Sequence, residues 1–397
     1  MEEILIISNY YPPEKGAAAN RIEQLAQKLH QNNYKVSVLC PLANYPKGEL
    51  YTAYKGKFWA NENLQNIAVK RLWIYPSVSK NIFKRTLSVL SFSSGLLFYL
   101  LFHKTPHKVI VQSPPLLLSF LSVLVLSLQG KKIILNVSDL WPIAAIELKA
   151  LKADSISHKV LLLLEKFIYS KATIIFGQSN EIIDHIHSIF PGKKCYSYRN
   201  FPEYSNSNFN FKINLNEPIK LFYAGLLGVA QGVYNLCEKM ETEHLNMEFH
   251  IFGDGAEKSQ IENYIKQYPL KKIVFHGMVE RSVLHQKIQQ FDIAIVPLTT
   301  RIFGSVPSKI FEYGALGFPI LYFGGGEGET IVRENNLGWV AEVGNFESLN
   351  TTLTQISKTG KLKINDMKKQ NFNHAKIHFN LDFQMKKLIE KGCFNRL

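Results

Sequence analysis

The sequence predicts an α/β protein of two Rossmann-like domains, each built on a parallel sheet, and three observations carry that expectation. A chain of 397 residues is long for one domain and suits two of about 180 residues each. Its first apolar run, residues 4–7, leads through the loop SNYYPPEKGAAANR into a helix ending near His30, the strand, loop and helix order of a Rossmann-like unit. Residues 206–216 are polar and rich in Asn, and beyond them the apolar run 219–224 starts the same order again. The expected domains are therefore 1–208 and 209–397.

Composition narrows the class. With 46% hydrophobic and 20% charged residues and no low-complexity segment or internal repeat, the chain is globular. A net charge of +14 asks for an anionic partner: nucleic acid, anionic lipid or a phosphorylated substrate. Lys and Arg are dispersed and no nucleic-acid-binding motif occurs, so nucleic acid is not expected. Cys40, Cys195, Cys237 and Cys393 lie far apart, which suggests neither a disulfide framework nor a zinc site. The start, MEEILIISNYYPP, reads as a first strand rather than a signal peptide, and a cytoplasmic location is expected. His185 and His187, two apart on a helix, cannot share a face, and the twelve histidines form no ligand cluster.

In the first domain the loop after the first strand lacks G-x-G-x-x-G, which disfavours a dinucleotide oxidoreductase. Gly16 reads there as a turn glycine and Arg21 as part of a solvated helix face. Residues 35–40 and 69–72 are the next strands. Between them 45–59, rich in Tyr, Lys and Gly, suits a loop facing substrate or a membrane surface. Lys80, Lys84 and Arg85 precede residues 86–102, a charge-free run with four serines and a glycine. It falls short of the roughly 20 apolar residues a spanning helix needs. It is expected either as a buried helix or as one in the membrane interface, its basic flank meeting anionic head groups. Residues 109–112 form a strand, Leu116–Leu128 an apolar helix, and 133–137 a strand that delivers Ser138 and Asp139 at its carboxyl end. In open α/β sheets that edge binds ligands. Asp139 can accept a proton there, or simply cap the following turn. A helix at 157–170, a strand at 173–177 and a helix from Asn180 complete the domain.

The second domain opens into GLLGVAQGVYNL. Gly225, Gly228 and Gly232 let backbone pass close to a ligand, and the helix after Gln231 aims its N–H groups at phosphate. Strands at 247–252, followed by Gly253, at 273–276 and at Ile293–Pro297 lead to SVPSKIFEYGALGFPILYFGGGEGE, residues 305–329. Pro307 starts a helix that Gly317 and Pro319 end near Leu316, and 320–323 is a strand running into glycines 324–326. The helix N-terminus with Ser308 and Lys309 suits phosphate, and Glu312 can accept from ribose hydroxyls. An ordinary amphipathic helix with a surface Lys and Glu fits the same residues. A strand at 339–343 and a lysine-rich helical tail, 362–397, close the chain.

NVSDLWP, YRNFP, GLLGVAQG, FGDG and PSKIFEYGALGFP, met in that order, together resemble glycosyltransferase family 4, retaining enzymes of the GT-B fold. Within it they resemble the subgroup that builds bacterial surface polysaccharides such as O-antigen and capsule from N-acetylated amino-sugar donors. The resemblance covers almost the whole chain. It implies two facing domains, the first binding the acceptor and facing the membrane, the second binding a UDP-sugar, with the C-terminal helix packing back on the first. It makes Asp139 and Lys309 the catalytic candidates. Gly16, Gly225, Gly228, Gln231, Gly232, Gly253, Ser308, Lys309, Glu312 and Gly326 become the nucleotide-sugar contacts. No D-x-D triplet occurs, in keeping with a metal-independent site, and no cofactor is expected. The implied acceptor is a lipid-linked glycan at the inner face of the plasma membrane. Three positions depart from the family: Gly304 stands where its first motif glutamate would be, and Leu226 and Gln231 stand where an Arg and a Lys grip the diphosphate. A nucleotide-sugar epimerase of the same architecture and a non-catalytic nucleotide-sugar-binding partner are the other readings.

Overall fold

The computed structural model describes residues 1–14, 16–78, 81–203 and 214–395. They divide into two compact units, Met1–Asn200 with Gln384–Leu397, and Phe201–Phe383. Against the expected 1–208 and 209–397, the first unit ends earlier and regains the chain's end. The expected linker 206–216 and the expected basic residue Lys80 lie wholly or mostly outside the described residues.

The first unit opens with β1 (Glu2–Ile7), α1 (Ala17–Gln31) and β2 (Tyr34–Pro41). A hairpin of β3 (Trp59–Leu64) and β4 (Ile67–Leu72) follows. It turns through Gln65 and Asn66, both with left-handed φ, the turn chemistry that matches strand twist. Then come α2 (Ile82–Phe102), β5 (Lys108–Ser113), α3 (Leu116–Leu128), β6 (Lys132–Val137), α4 (Ile143–Glu147), α5 (Ile156–Lys171), β7 (Ile174–Gly177), α6 (Asn180–Ile189) and β8 (Cys195–Ser197). The sheet order is β3-β4-β2-β1-β5-β6-β7-β8, parallel except for the β3–β4 pair. β5 and β6 are buried along their whole length, because helices cover both faces; KVIVQS and KIILNV accordingly show no polar alternation. β1 lies between β2 and β5, so the loops leaving its carboxyl edge diverge and open a crevice.

The second unit contains β9 (Ile219–Leu226), α7 (Val233–Lys239), β10 (Met247–Asp254), α8 (Lys258–Gln267), β11 (Ile273–Gly277), α9 (Arg281–Lys287) and β12 (Ile293–Pro297). It continues with α10 (Ser308–Ala315), β13 (Ile320–Phe323), α11 (Glu327–Glu334), β14 (Gly338–Ala341), α12 (Phe346–Thr359), α13 (Lys361–His378) and the start of α14 (Leu381–Glu390). Its parallel sheet runs β11-β10-β9-β12-β13-β14. Successive strand residues point to opposite faces, so Leu221, Phe249 and Ile295 enter one core while Phe222, Phe252 and Val296 enter the other.

The expectation that the whole tail 362–397 packs on the first domain is corrected. α13 belongs to the second unit: Asn371 Nδ2 donates to the carbonyls of Phe318 and Leu337 at 3.1 and 2.9 Å, and Lys368 Nζ donates to that of Phe291. Only the stretch from Gln384 onward joins the first unit. There the buried Lys108 and Lys132, at the starts of β5 and β6, donate to the carbonyls of Phe394 and Asn395. Buried ammonium groups need such acceptors, and the end of the chain supplies them.

Candidate functional site

In the second sheet β9 and β12 are adjacent, and strand order runs outward from them in both directions. Their following loops therefore bound the crevice of that sheet. Thr299, in the loop after β12, ties the two together: its N–H donates to Ala230 O at 3.0 Å and its hydroxyl approaches Ala230 O and Val229 O at 3.1 and 3.2 Å. Gly232 is left-handed (φ 59°), and a Cβ there would lie 2.1 Å from Thr299 Cγ2, so only glycine fits. Gly253 (φ 149°) would place a Cβ 1.9 Å from the Gly225 carbonyl oxygen. Its immediate steric role is thus the close passage of the loops after β9 and β10. Around Gly228 the nearest atom is the movable Gln231 Oε1, and Leu226 is exposed.

α10 is anchored beneath this rim by Tyr313, whose buried hydroxyl donates to Ala224 O at 3.0 Å and accepts from Ala224 N at 3.2 Å. The anchor presents Ser308 and Lys309 in the first turn and Glu312 one turn later. Lys309 Nζ donates to Glu312 Oε2 at 2.9 Å and lies 5.2 Å from the Tyr313 ring centroid. The two groups assigned separately to phosphate and ribose form one pair in this structure. On the other side of the carboxylate, His285 Nε2 of α9 stands 3.9 Å from Glu312 Oε1. After β13, Gly326 (φ 75°) begins α11, and a Cβ there would meet Arg301 Nε at 2.9 Å. Arg301 reaches this glycine run from the loop after β12 and is exposed. Sequence reasoning passed over both Arg301 and His285; a cation between a strand end and the PSK helix was the available signal for Arg301.

The carboxyl edge of the first sheet holds the other two candidates. Gly16 (φ 149°) starts α1, and a Cβ there would meet only the Tyr45 ring at 3.6 Å, an ordinary contact. The preceding loop is pinned by the buried Glu14, which accepts from the N–H groups of Asn44 and Tyr45 at 2.8 and 2.9 Å. Burial raises the Glu14 pKa, and those donors oppose the shift.

Arg21 overturns its sequence expectation. It is almost fully buried, donating to Gln178 Oε1 at 2.9 Å and to Asn136 Oδ1 and Tyr198 O at 2.8 Å. From Asn136 a chain of side chains runs outward: Asn136 Nδ2 donates to Gln112 Oε1 at 2.6 Å, Gln112 Nε2 to Ser138 Oγ at 3.0 Å, and Ser138 Oγ to Asp139 Oδ2 at 3.3 Å. Burial pushes the Asp139 carboxyl up to about 6, opposed by the Ser138 hydroxyl and the Arg21 charge. α4, which follows, begins after Pro142 without a side-chain cap. Asp139 is thus held as a half-buried acid whose proton equilibrium lies near neutrality. Among the described residues no group of three or more His, Cys, Asp or Glu side chains is placed to hold a metal ion.

The group 1 family model settles the class of the second unit: described as "Glycosyl transferases group 1", it matches residues 205–374. Residues 205–374 carry a glycosyl transferases group 1 domain. This domain contains the β9 loop, Lys309, Glu312 and the glycine run. A curated relative, "Probable glycosyltransferase WbjE" of Pseudomonas aeruginosa, is 26% identical over 240 residues, which are 57% of this chain. The matched region spans 60% of the length of that relative.

Solved structures extend the likeness over the whole chain. Sucrose-phosphate synthase of Thermosynechococcus elongatus superposes with a TM-score of 0.73 at 15% identity, covering 99% of both chains. HepE of Anabaena in complex with UDP gives 0.68 at 11%, covering 99% of this chain and 100% of that one. The lipopolysaccharide outer core galactosyltransferase WaaB in its apo form gives 0.62 at 14% with the same coverage. At these identities the likeness establishes the fold. That fold is GT-B, with a group 1 domain as its second Rossmann-like unit.

Proposed function

We propose that the chain is a metal-independent, retaining glycosyltransferase of family 4. It would move a sugar, an N-acetylhexosamine or deoxy relative, from a UDP-sugar to a hydroxyl of a lipid-linked glycan in surface-polysaccharide synthesis. The observation that carries the reading is the position of the Lys309–Glu312 pair, one turn into a helix that opens at the carboxyl edge of a group 1 domain. The neighbours solved with UDP or UDP-sugar and the name of the WbjE relative support the donor and reaction class.

In this reading Glu312 accepts from the ribose while Lys309 turns from Glu312 to the diphosphate. Arg301 adds positive charge at the glycine run, partly replacing the cations that Leu226 and Gln231 do not supply. Asp139, with its pKa brought near neutrality, takes the proton of the acceptor hydroxyl. The enzyme works at the cytoplasmic face of the membrane, with α2 against anionic lipid. Against the expectation from residues 86–102, α2 starts at Ile82 and is, among the described residues, the one helix long and apolar enough to cross a bilayer. Its Phe92, Leu96 and Leu100, however, are fully buried in the unit, which favours lying in the interface over spanning.

Calorimetric titration with UDP, GDP and TDP, repeated on Glu312→Ala, tests the reading. Selective UDP binding that the substitution weakens is the expected outcome; no binding of any nucleotide to the wild type would overturn it.

A further inference from the structure

α9 and α10 are fixed by one core. Leu284 of α9 and Ile288 just after it pack in the same apolar cluster as Ile310, Phe311 and Tyr313 of α10, and His285 follows Leu284 directly. This places one carboxylate between two donors from different helices. Lys309 Nζ holds Glu312 Oε2 at 2.9 Å, while His285 Nε2 stands 3.9 Å from Glu312 Oε1, about 1 Å beyond hydrogen-bond length.

The His285 nitrogen is shut from solvent and has no hydrogen-bond partner. Leaving a buried polar atom unpaired destabilises a fold, so such an atom calls for a reason. With its proton on Nε2, or protonated on both nitrogens, the imidazole can donate across the gap to Oε1. The gap closes with a small rotation of the Glu312 side chain, which the bond from Lys309 to the other oxygen restrains.

Donor binding removes that restraint. In the proposed reaction Lys309 turns to the diphosphate just as Glu312 must accept from the ribose. A glutamate released from an anchor regains rotamer freedom, and the ligand would then have to order it.

We infer that His285 is a positioning residue of the donor site: it takes Oε1 of Glu312 when Lys309 lets go of Oε2, and holds the carboxylate for the ribose hydroxyls. One charge-assisted hydrogen bond replaces another, so the resting pair opens at little net cost. The inference rests on the roles proposed above for Lys309 and Glu312.

The test is calorimetric titration with UDP of wild type, His285→Ala, His285→Gln, Glu312→Ala and the double variant His285→Ala with Glu312→Ala. His285→Ala should bind UDP about tenfold more weakly yet melt like wild type, because the free protein makes no bond through Nε2. His285→Gln, whose amide N–H reaches a similar point, should recover most of the affinity. The double variant should bind like Glu312→Ala alone, since the two side chains act as one. The loss in His285→Ala should also shrink for 2′-deoxy-UDP, which offers the carboxylate one hydroxyl fewer; this comparison needs no Glu312 variant.

The inference is overturned if His285→Ala binds UDP like wild type, or if glutamine recovers nothing. It is equally overturned if removing His285 costs the same affinity with and without Glu312, or the same for both nucleotides, which would mark a merely structural histidine. These outcomes leave the donor site standing as long as Glu312→Ala alone weakens UDP binding. Equal binding by wild type and Glu312→Ala, or none by wild type, would instead sink the donor-site reading itself.

Discussion

The guanidinium of Arg21 and the side-chain oxygen of Asn136 meet at 2.8 Å, both residues shut from solvent. The bond joins α1 to β6, while the other donors of the same guanidinium hold Gln178 and the Tyr198 carbonyl. Arg21→Met would leave three acceptors without their donor and should destabilise the chain by about 3 kcal/mol or more. Arg21→Lys should recover little, because an ammonium cannot reproduce the planar fork. Urea unfolding measures both; a midpoint unchanged in Arg21→Met would show that the network does not hold the unit together.

Lys309 and Glu312 form a partly exposed pair one turn apart, an arrangement that contributes roughly 0 to 1 kcal/mol to stability. Lys309→Ala should therefore melt close to wild type yet lose most turnover, read as UDP released from a UDP-sugar with acceptor. Glu312→Ala should weaken UDP binding by about 1 to 3 kcal/mol. Full turnover in Lys309→Ala would remove the lysine from the reaction.

Two glycines of the second unit should respond differently. Gly253→Ala places a methyl 1.9 Å from the Gly225 carbonyl at a positive φ, so the loop must shift, at a cost of about 1 to 3 kcal/mol. At Gly228 the conflict is with the end of the Gln231 side chain, which can rotate away. Thermal melts of the two alanine variants should separate clearly, and equal melting temperatures would contradict the packing role of Gly253.

Local pattern made much of this legible. Leu116–Leu128 and Ile293–Pro297 stand where the sequence puts them, because apolar runs between glycine and proline stops leave few alternatives. β3 escaped because WANENL lies at a sheet edge, half solvated, and its pairing is fixed by the Gln65–Asn66 turn rather than by hydrophobicity. Arg21 escaped for a different reason: its partners lie 115, 157 and 177 residues away, and no local spacing reports that a charge will be buried among them. The Lys309–Glu312 spacing was visible. That His285 stands beside the pair, and that Arg301 reaches the glycine run, depends on the loops of the finished sheet.

Asp139 ties a titration to both stability and rate. Its pKa, about 6 in the folded chain, lies above the ordinary Asp value near 3.9, so the folded state holds the proton more tightly than the unfolded one. The stability this gives is complete below the unfolded value and is lost as pH rises through about 6. As a base, the same group must be ionised, so turnover should rise over the range in which its stabilising effect fades. Asp139→Asn separates the two. The variant should lose turnover at every pH, while its melting temperature should match or exceed that of wild type at pH values well above 6, where wild type carries a half-buried charge. Rates and melts across pH measure both, and a variant that keeps wild-type turnover with its fall at acid pH would show that another group provides the base.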